Sequence, residues 1–467
     1  MTEDLITFTH QIAMSLHRVG LAGAAVNRST YSTLGKEWTQ ESKKLGDQLT
    51  RYALRKGMTQ FTPTNDEHVR EVIYQKLGYP VIVRTEEDNL PAVNKPTLLR
   101  LMKEEGESGF IKSFIEFNGY DKLLSTWIGK DDGKKRKRKS VGELIVPVPG
   151  RDDLGLLHFW IFPLRARTGR RASGGTEDGD PEGRNAQNWP KKAKQMIVSR
   201  WRKGKLAVND FSKLEVVIMG WRAKDDKLLD YFLNGAGYIG VAKEFWNQDV
   251  ENDTPLYKAT KCIVLGLNYN MKVWKLANDL WYRNDFKFSE DWDKHVKETA
   301  KARKRYLRMF PGLARYIKDR IGEVREDQRV VSPSGRVRHL PHHGPESEGY
   351  WHVENSAVNQ PIQSFASDAT GSAIVDYEEA LLKEHKLSYR EWHESLIKHP
   401  WDLPCSPVFN EVHDELDQDL HPSTGKRDLE ILRDCMENVR SLKKLVPDFN
   451  IKLKVDTQIV PTWGEAK

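Results

Sequence analysis

The chain has 467 residues, 38% hydrophobic and 30% charged, which is enough apolar material for a sizeable core and too much for a disordered chain. Its 74 Lys and Arg against 67 Asp and Glu leave a net charge of +7. It has no run of about 18 apolar residues and no basic leader, which argues against a membrane or export role; Cys262, Cys405 and Cys435, without metal-type spacing, suit a reduced cytoplasmic compartment.

From Leu5 to Leu54 the pattern is helical, and Leu5, Phe8, Ile12, Leu16 and Val19 form an apolar stripe that closes at Gly20. Pro63 to Asp66 reads as a cap for a helix from His68 to Leu77, and Lys95 to Thr97 leads into a further helix from Leu98 to Glu105. Long, exposed helices of this kind predict a projecting helical subdomain. The basic run Lys134, Lys135, Arg136, Lys137, Arg138, Lys139 and the segment Lys191 to Lys205 fit either solvated faces or contact with a phosphate backbone.

Beyond the basic run, Glu143 to Val148 and Gly155 to Phe162 are rich in strand formers, and Arg165 to Pro190 is a Gly-rich, charged loop. Leu206 to Val208 reads as a strand that delivers Asp210 at its end. Phe211, Leu214, Val217 and Ile218 then recur at helical spacing. By itself Asp210 reads equally as a helix cap.

Residues 216–330 read as mainly helical, including Lys258 to Leu276 and Glu290 to Met309. A turn between strands follows at Val330 to Pro341, then a helix from Ala357 to Leu382, a hairpin at Val408 to Leu420 and an alternating strand at Phe449 to Thr457. The coarse architecture is a sheet interrupted by a helical insertion.

Three patterns carry chemistry. Asp414 and Glu415 follow His413 at a hairpin tip; successive strand side chains face opposite ways, so only one of the two can face Asp210 directly. Carboxylates converging from two strands repel unless a divalent cation lies between them, and hard oxygen ligands suit Mg²⁺. Lys261, Leu265 and Tyr269 are spaced by four and share a helix face, which offers an ammonium for phosphate and a ring for base or sugar. An acidic hairpin tip and an amphipathic helix with a snorkelling lysine are the plainer alternatives.

Together these stretches resemble the family A DNA polymerases. Asn209 to Glu215 is similar to the family's first acidic motif, Lys261 to Tyr269 to its nucleotide-binding helix, and Val412 to Glu415 to its second acidic motif. The similarity extends to Ser125 and Thr126, Thr168 to Arg170, Asn185 to Pro190, Gly335 and Arg336, Asn359 to Gln363, and Trp463 to Ala466.

The resemblance implies a mixed α/β fold of α+β type, a right hand with an antiparallel palm sheet, helical fingers and a helical thumb. Residues 1–140 form the thumb, with the N-terminal helix packing on the palm; 141–215 and 331–467 form the palm and 216–330 the fingers. It implies a template-directed DNA polymerase that extends a primer 3′-hydroxyl with dNTPs. Asp210, Asp414 and Glu415 are then catalytic, and two Mg²⁺ ions, replaceable by Mn²⁺, bind Asp210, Asp414 and the carbonyl of Phe211. Lys261, Leu265, Tyr269, Lys258 and Tyr238 contact the nucleotide, with Glu215 as steric gate against a ribose. Arg170, Asn185, Gln187, Asn188, Arg336, Asn359, Gln363 and His413 contact the primer-template, and Lys134, Lys135, Arg136 and Lys137 the duplex phosphates.

Several residues depart from the family pattern. Tyr257 stands where Arg is usual, with Lys258 beside it as a substitute, and Tyr238 stands where a phosphate-binding His is usual. Leu265 replaces Phe or Tyr, Asn270 replaces Gly, Val216 and Val217 replace Leu and Arg, and Asn355 replaces Arg. The resemblance also carries the expectations of no proofreading exonuclease in this chain, a separate exonuclease or processivity subunit as partner, no membrane partner, and a bacterial or phage-infected cytoplasm. A single-subunit RNA polymerase and a non-catalytic DNA-binding replication subunit are the alternatives, and Glu215 argues against the first.

Overall fold

The computed structural model describes residues 2–85, 87–129, 140–174, 186–347 and 349–466. Thr2 caps α1 (Glu3–Ala22), whose apolar stripe from Leu5 to Val19 is buried as its spacing predicts. The expected run of helix to residue 54 is broken, however. Gly23 (φ +60°) ends α1, and the chain forms a short strand, β1 (Ala24–Asn27), before α2 (Arg28–Arg55). Four residues are too few to show a period, so the strand was hidden between two helical patterns. Asn27 closes it by accepting the Thr30 N–H at 2.8 Å.

The second half of α2, α3 (Asp66–Arg70, continued by a π-helical turn Glu71–Lys76), α4 (Lys95–Glu105) and α5 (Gly109–Leu123) build a helical limb. Its core of Leu45, Leu49, Val72, Ile73, Leu98, Phe110 and Phe114 is separate from the rest of the apolar interior. At its far side the limb meets the helical insertion through polar contacts: Lys103 Nζ lies 2.9 Å from Asp285 Oδ1, and the Tyr282 hydroxyl donates to Glu104 at 2.6 Å.

β2 (Val146–Val148), β3 (Arg151–Leu157), β1 and β6 (Ile197–Val198) form one antiparallel sheet in the order β2-β3-β1-β6. β4 (Ile161–Phe162) pairs with β5 (Ala172–Ser173), and α6 (Lys191–Lys194) precedes β7 (Lys205–Phe211). The insertion follows as α7 (Leu214–Arg222), α8 (Asp226–Leu233), α9 (Tyr238–Trp246), α10 (Pro255–Asn268), α11 (Val273–Asn278), α12 (Trp292–Met309) and α13 (Pro311–Asp327). The hairpin β8 (Arg329–Val331) and β9 (Val337–His339) leads to α14 (Tyr350–Glu384) and α15 (Tyr389–Lys398). The chain then returns through β10 (Val408–Val412), β11 (Glu415–Leu420), α16 (Gly425–Asn438), α17 (Arg440–Leu445) and β12 (Val455–Val460).

The central sheet has the order β10-β11-β7-β12 and is antiparallel throughout, so strands from either side of the insertion are neighbours. α14 is the hub, buried around its whole circumference from Ser364 to Glu378. Small residues such as Ala366, Ala369, Gly371 and Ala373 let neighbouring helices approach it closely.

Two further expectations change. The helix read over Lys258 to Leu276 is two helices: Tyr269 caps α10 and Asn270 takes φ +55°. Asn is the side chain that best tolerates that left-handed conformation after Gly, which explains how it can stand where the family has Gly. In the strand read over Phe449 to Thr457, burial alternates as predicted from Phe449, but ladder pairing begins only at Val455. Among the described residues no helix is long and apolar enough to cross a membrane.

Candidate active site

β7 and β11 pair so that Asp210 lies directly opposite Glu415, and β12 places Asp456 opposite Asp210 on its other side. Directly opposed residues of antiparallel strands share a face, so three carboxylates form a row across the sheet. Asp456 was missed by the sequence reading; its signal is the alternation around Val455, which puts Asp456 at an outward position of the outer strand.

Asp414 sits in the two-residue turn between β10 and β11, and its carbonyl accepts the Phe211 N–H at 3.1 Å, tying the hairpin tip to the end of β7. A tight turn of this type needs a residue with positive φ, and His413 supplies it at φ +61°. A side chain there costs about 1 kcal/mol relative to Gly, and Thr370 of α14 helps hold the turn by donating to the His413 carbonyl at 3.2 Å.

The neighbouring acids act on Asp210 in a definite order. Burial, then the charges of Asp414, Glu415 and Asp456 in that order, push the Asp210 carboxyl up to about 7. Asp414 is thus the neighbouring charge that weighs most on Asp210, although Glu415 is its register partner. Besides burial, Glu415 is influenced by Lys194, Asp417 and Trp463 as well as by the Asp414 charge. Burial also raises Asp414 and Glu415, and it lowers His413 with help from Arg170.

Thr168, Gly169 and Arg170 approach α14 so closely that a Cβ on Gly169 would meet Ser364 Oγ at 2.6 Å, and Gly169 has φ +80°. Both facts require glycine there. Arg171 anchors the loop from inside, buried with its Nε 2.7 Å from Glu411 Oε1 and its Nη1 donating to the Ser367 carbonyl at 2.6 Å.

Arg170 then donates to one oxygen of Glu215, and the Tyr269 hydroxyl donates to the other. Two influences compete on Glu215. Burial and the Asp414 charge push it up to about 7, whereas the adjoining guanidinium favours the carboxylate. With both oxygens receiving hydrogen bonds, the charged form is the one the geometry serves. Arg170, Glu215, His413 and Asp414 line one small cavity.

Lys261, Leu265, Tyr269 and Asn359 line a neighbouring cleft of about 1000 Å³ with Trp274 and Trp351. Leu265 is 36% exposed to it, and Gln363 follows Asn359 by one helical turn. Lys261 Nζ lies 5.9 Å from the Tyr238 ring centroid, and Tyr238 packs edge-on against Tyr257 at 6.3 Å. Lys258 is exposed one turn before Lys261. Asn270 and Asn355, two departures from the family pattern, meet each other at 3.5 Å, and Arg303 donates to Asn270 at 3.1 Å.

Asn188 lines a further cleft with Lys95, Lys122, Arg165 and Lys192, while Gln187 accepts the Ser173 N–H at 3.4 Å. Asn185, Lys134, Lys135, Arg136 and Lys137 lie outside the described residues. Arg336 sits in a network of its own. The residue is buried, and its guanidinium lies 2.8 Å from Asp368 and 3.1 Å from Thr9, which ties the β8–β9 turn to α14 and α1.

The donor set suits a hard divalent cation. Among the described residues Asp210 has no hydrogen-bond or ion-pair partner, and its neighbours are carboxylates that raise its proton affinity. Among them, too, no three acidic, His or Cys side chains come close enough to hold an ion alone. One or two carboxylates completed by water and phosphate oxygens is the coordination Mg²⁺ prefers.

Comparison with known proteins agrees with this layout. The chain is 25% identical over 440 residues to DNA polymerase I of Pseudomonas aeruginosa, covering 91% of this chain and 41% of that protein. It is 23% identical over 482 residues to DNA polymerase I of Geobacillus stearothermophilus, covering 100% of this chain and 46% of that one. The chain thus spans less than half the length of these relatives. In structure it is similar to the POL domain of Pol1 from M. smegmatis, solved in complex with DNA primer-template and dNTP, at a TM-score of 0.74 and 20% identity, covering 98% of this chain and 70% of that one. The sequence profile of DNA polymerase family A matches residues 28–465, nearly the whole chain and every strand of the acidic site; the chain belongs to DNA polymerase family A.

Proposed function

We propose that the chain is a template-directed DNA polymerase that adds dNTPs to a primer 3′-hydroxyl. The observation that carries this is that the end of β7, which bears Asp210, is tied to the hairpin turn that bears Asp414 by the Phe211 N–H to Asp414 carbonyl bond, across the helical insertion in sequence, beside a cleft lined by Lys261 and Tyr269. In this reading residues 1–140 are the thumb, 141–215 and 331–467 the palm, and 216–330 the fingers.

Asp210, Asp414 and the Phe211 carbonyl would hold two Mg²⁺ ions, which when bound supply Lewis-acid activation of the primer hydroxyl and charge neutralisation on the departing pyrophosphate. Glu415 steadies the site from the side. Lys261 meets the triphosphate, Leu265 and Tyr269 lie against the nascent pair, and Glu215, held by Arg170 and Tyr269, crowds the sugar's 2′ position. Arg170, Gln187, Asn188, Asn359, Gln363 and His413 face the primer-template.

Primer extension with dNTPs and rNTPs offered separately, in Mg²⁺ or Mn²⁺, tests the proposal. Use of dNTPs supports it, exclusive use of rNTPs points to an RNA polymerase, and no extension with either metal points to a non-catalytic DNA-binding subunit.

A pH dependence follows from Asp210. A group whose folded pKa is raised contributes stability that is present below its unfolded value, near 4, and lost as pH rises through about 7. Asp210 therefore contributes a loss of melting temperature to the metal-free protein between pH 5.5 and pH 8, read as the difference in pH slope between wild type and Asp210→Asn. Mg²⁺ competes with the proton, so it raises the melting temperature more at pH 8 than at pH 5.5. Equal stabilisation at both values contradicts the metal assignment.

A further inference from the structure

The strand that carries Asp210 runs out through Phe211 and Ser212 to Lys213, which enters α7 with φ +57°. The Lys213 side chain reaches α9: a Cβ on Gly237, the residue that opens α9, would stand 3.2 Å from both its Cε and its Nζ. The next residue is Tyr238, whose ring lies 5.9 Å from Lys261 Nζ. Two ammonium groups thus lie at the start of α9, Lys213 beside Gly237 and Lys261 near the Tyr238 ring. Both lysines are exposed, and neither has an acidic partner among the described residues. Two unneutralised cations held at one helix start, at the end of the strand bearing Asp210, form a place for a polyanion.

The same place lacks charge where the family pattern has it. Tyr238 and Tyr257 stand where His and Arg are usual, and their rings pack on each other. Lys258, the substitute expected from the sequence, lies exposed a turn before Lys261 on α10.

We infer that Lys213 is the second cation for the incoming nucleotide's triphosphate, acting with Lys261 at the start of α9 in the charge role that Tyr238 and Tyr257 leave open. The inference rests on the polymerase reading. Lys213 comes from the strand end that carries Asp210 and Lys261 from the opposing helix, so a triphosphate between them is gripped from both sides.

The test is single-nucleotide primer extension by wild type, Lys213→Ala, Lys213→Gln, Lys213→Arg and Lys261→Ala, with inorganic pyrophosphate as product inhibitor and primer-template binding measured in parallel. Loss of one charge-assisted phosphate contact is expected to raise the dNTP KM and the pyrophosphate inhibition constant roughly tenfold in Lys213→Ala and Lys213→Gln. Primer-template affinity and melting temperature should hold, and Lys213→Arg should restore most of both constants. If Lys213→Ala and Lys213→Gln leave both constants within a factor of about two of wild type while Lys261→Ala raises them, the inference fails and the polymerase reading stands. Parallel losses in DNA binding and melting temperature that Arg does not rescue make Lys213 structural and overturn it too. A wild type that extends no primer overturns both.

Discussion

Asp210→Ala lowers primer extension by about 10³-fold or more, since the carboxylate is asked for several kcal/mol of transition-state stabilisation and each tenfold is about 1.4 kcal/mol. Folding should survive the change, because Asp210 makes no hydrogen bond or ion pair among the described residues and its carboxyl is pushed up to about 7 by its own neighbours. Removing it relieves repulsion from Asp414, Glu415 and Asp456. The variant should therefore be at least as stable as wild type without metal, bind primer-template with similar affinity and be inactive. Asp414→Ala should behave alike, and the double variant should lose little more than either single one, because groups acting as a unit are not additive. Extension by Asp210→Ala within tenfold of wild type would remove Asp210 from the chemistry.

Glu215→Ala is expected to lower discrimination between dNTP and rNTP by roughly a hundredfold, the scale set by one well-fitted contact in a specificity pocket. Glu215 is not a free surface acid: Arg170 holds one oxygen and Tyr269 the other. Truncation thus opens space at the sugar and also frees the ring that borders the cleft, so the dNTP KM should rise modestly. Glu215→Gln keeps the bulk and one acceptor, and should keep most of the discrimination. Measured kcat/KM for matched dNTP and rNTP settles the point, and an unchanged ratio in Glu215→Ala would show that sugar selection lies elsewhere.

Much of this site could be read from the sequence because it is written in short local patterns. Leu206 to Val208 announces a strand, and Asp210 follows within the same stretch; Val412 to Glu415 places acids at a turn; Lys261, Leu265 and Tyr269 share a face by spacing alone. Pairing across the chain is a different kind of information. That Asp456 would stand beside Asp210, or that Glu415 and not Asp414 would be its register partner, depends on strand order, which local periodicity does not encode. Arg336 shows the same limit from the other side. A basic residue beside a turn gives no sign that Asp368, from a helix further along the chain, pairs with it. Lys213 was passed over because a lysine at a helix start has no local signature; its meaning comes from Gly237 and Lys261, which folding brings to it.

The helical limb has an interior of its own. The cluster around Leu49, Ile73 and Phe114 is distinct from the one that unites α14 with the central sheet and the insertion, and the limb's far side is held by exposed contacts such as Lys103 with Asp285. Surface pairs of that kind contribute at most about 1 kcal/mol. The limb is therefore expected to open as one unit more readily than the sheet bearing Asp210, with α5 joined to the main interior through Leu123. In hydrogen exchange its amides should report a lower opening free energy than those of α14, as one block. Stresses that slowly unravel this protein would then loosen the limb first and the sheet that carries the acidic row last.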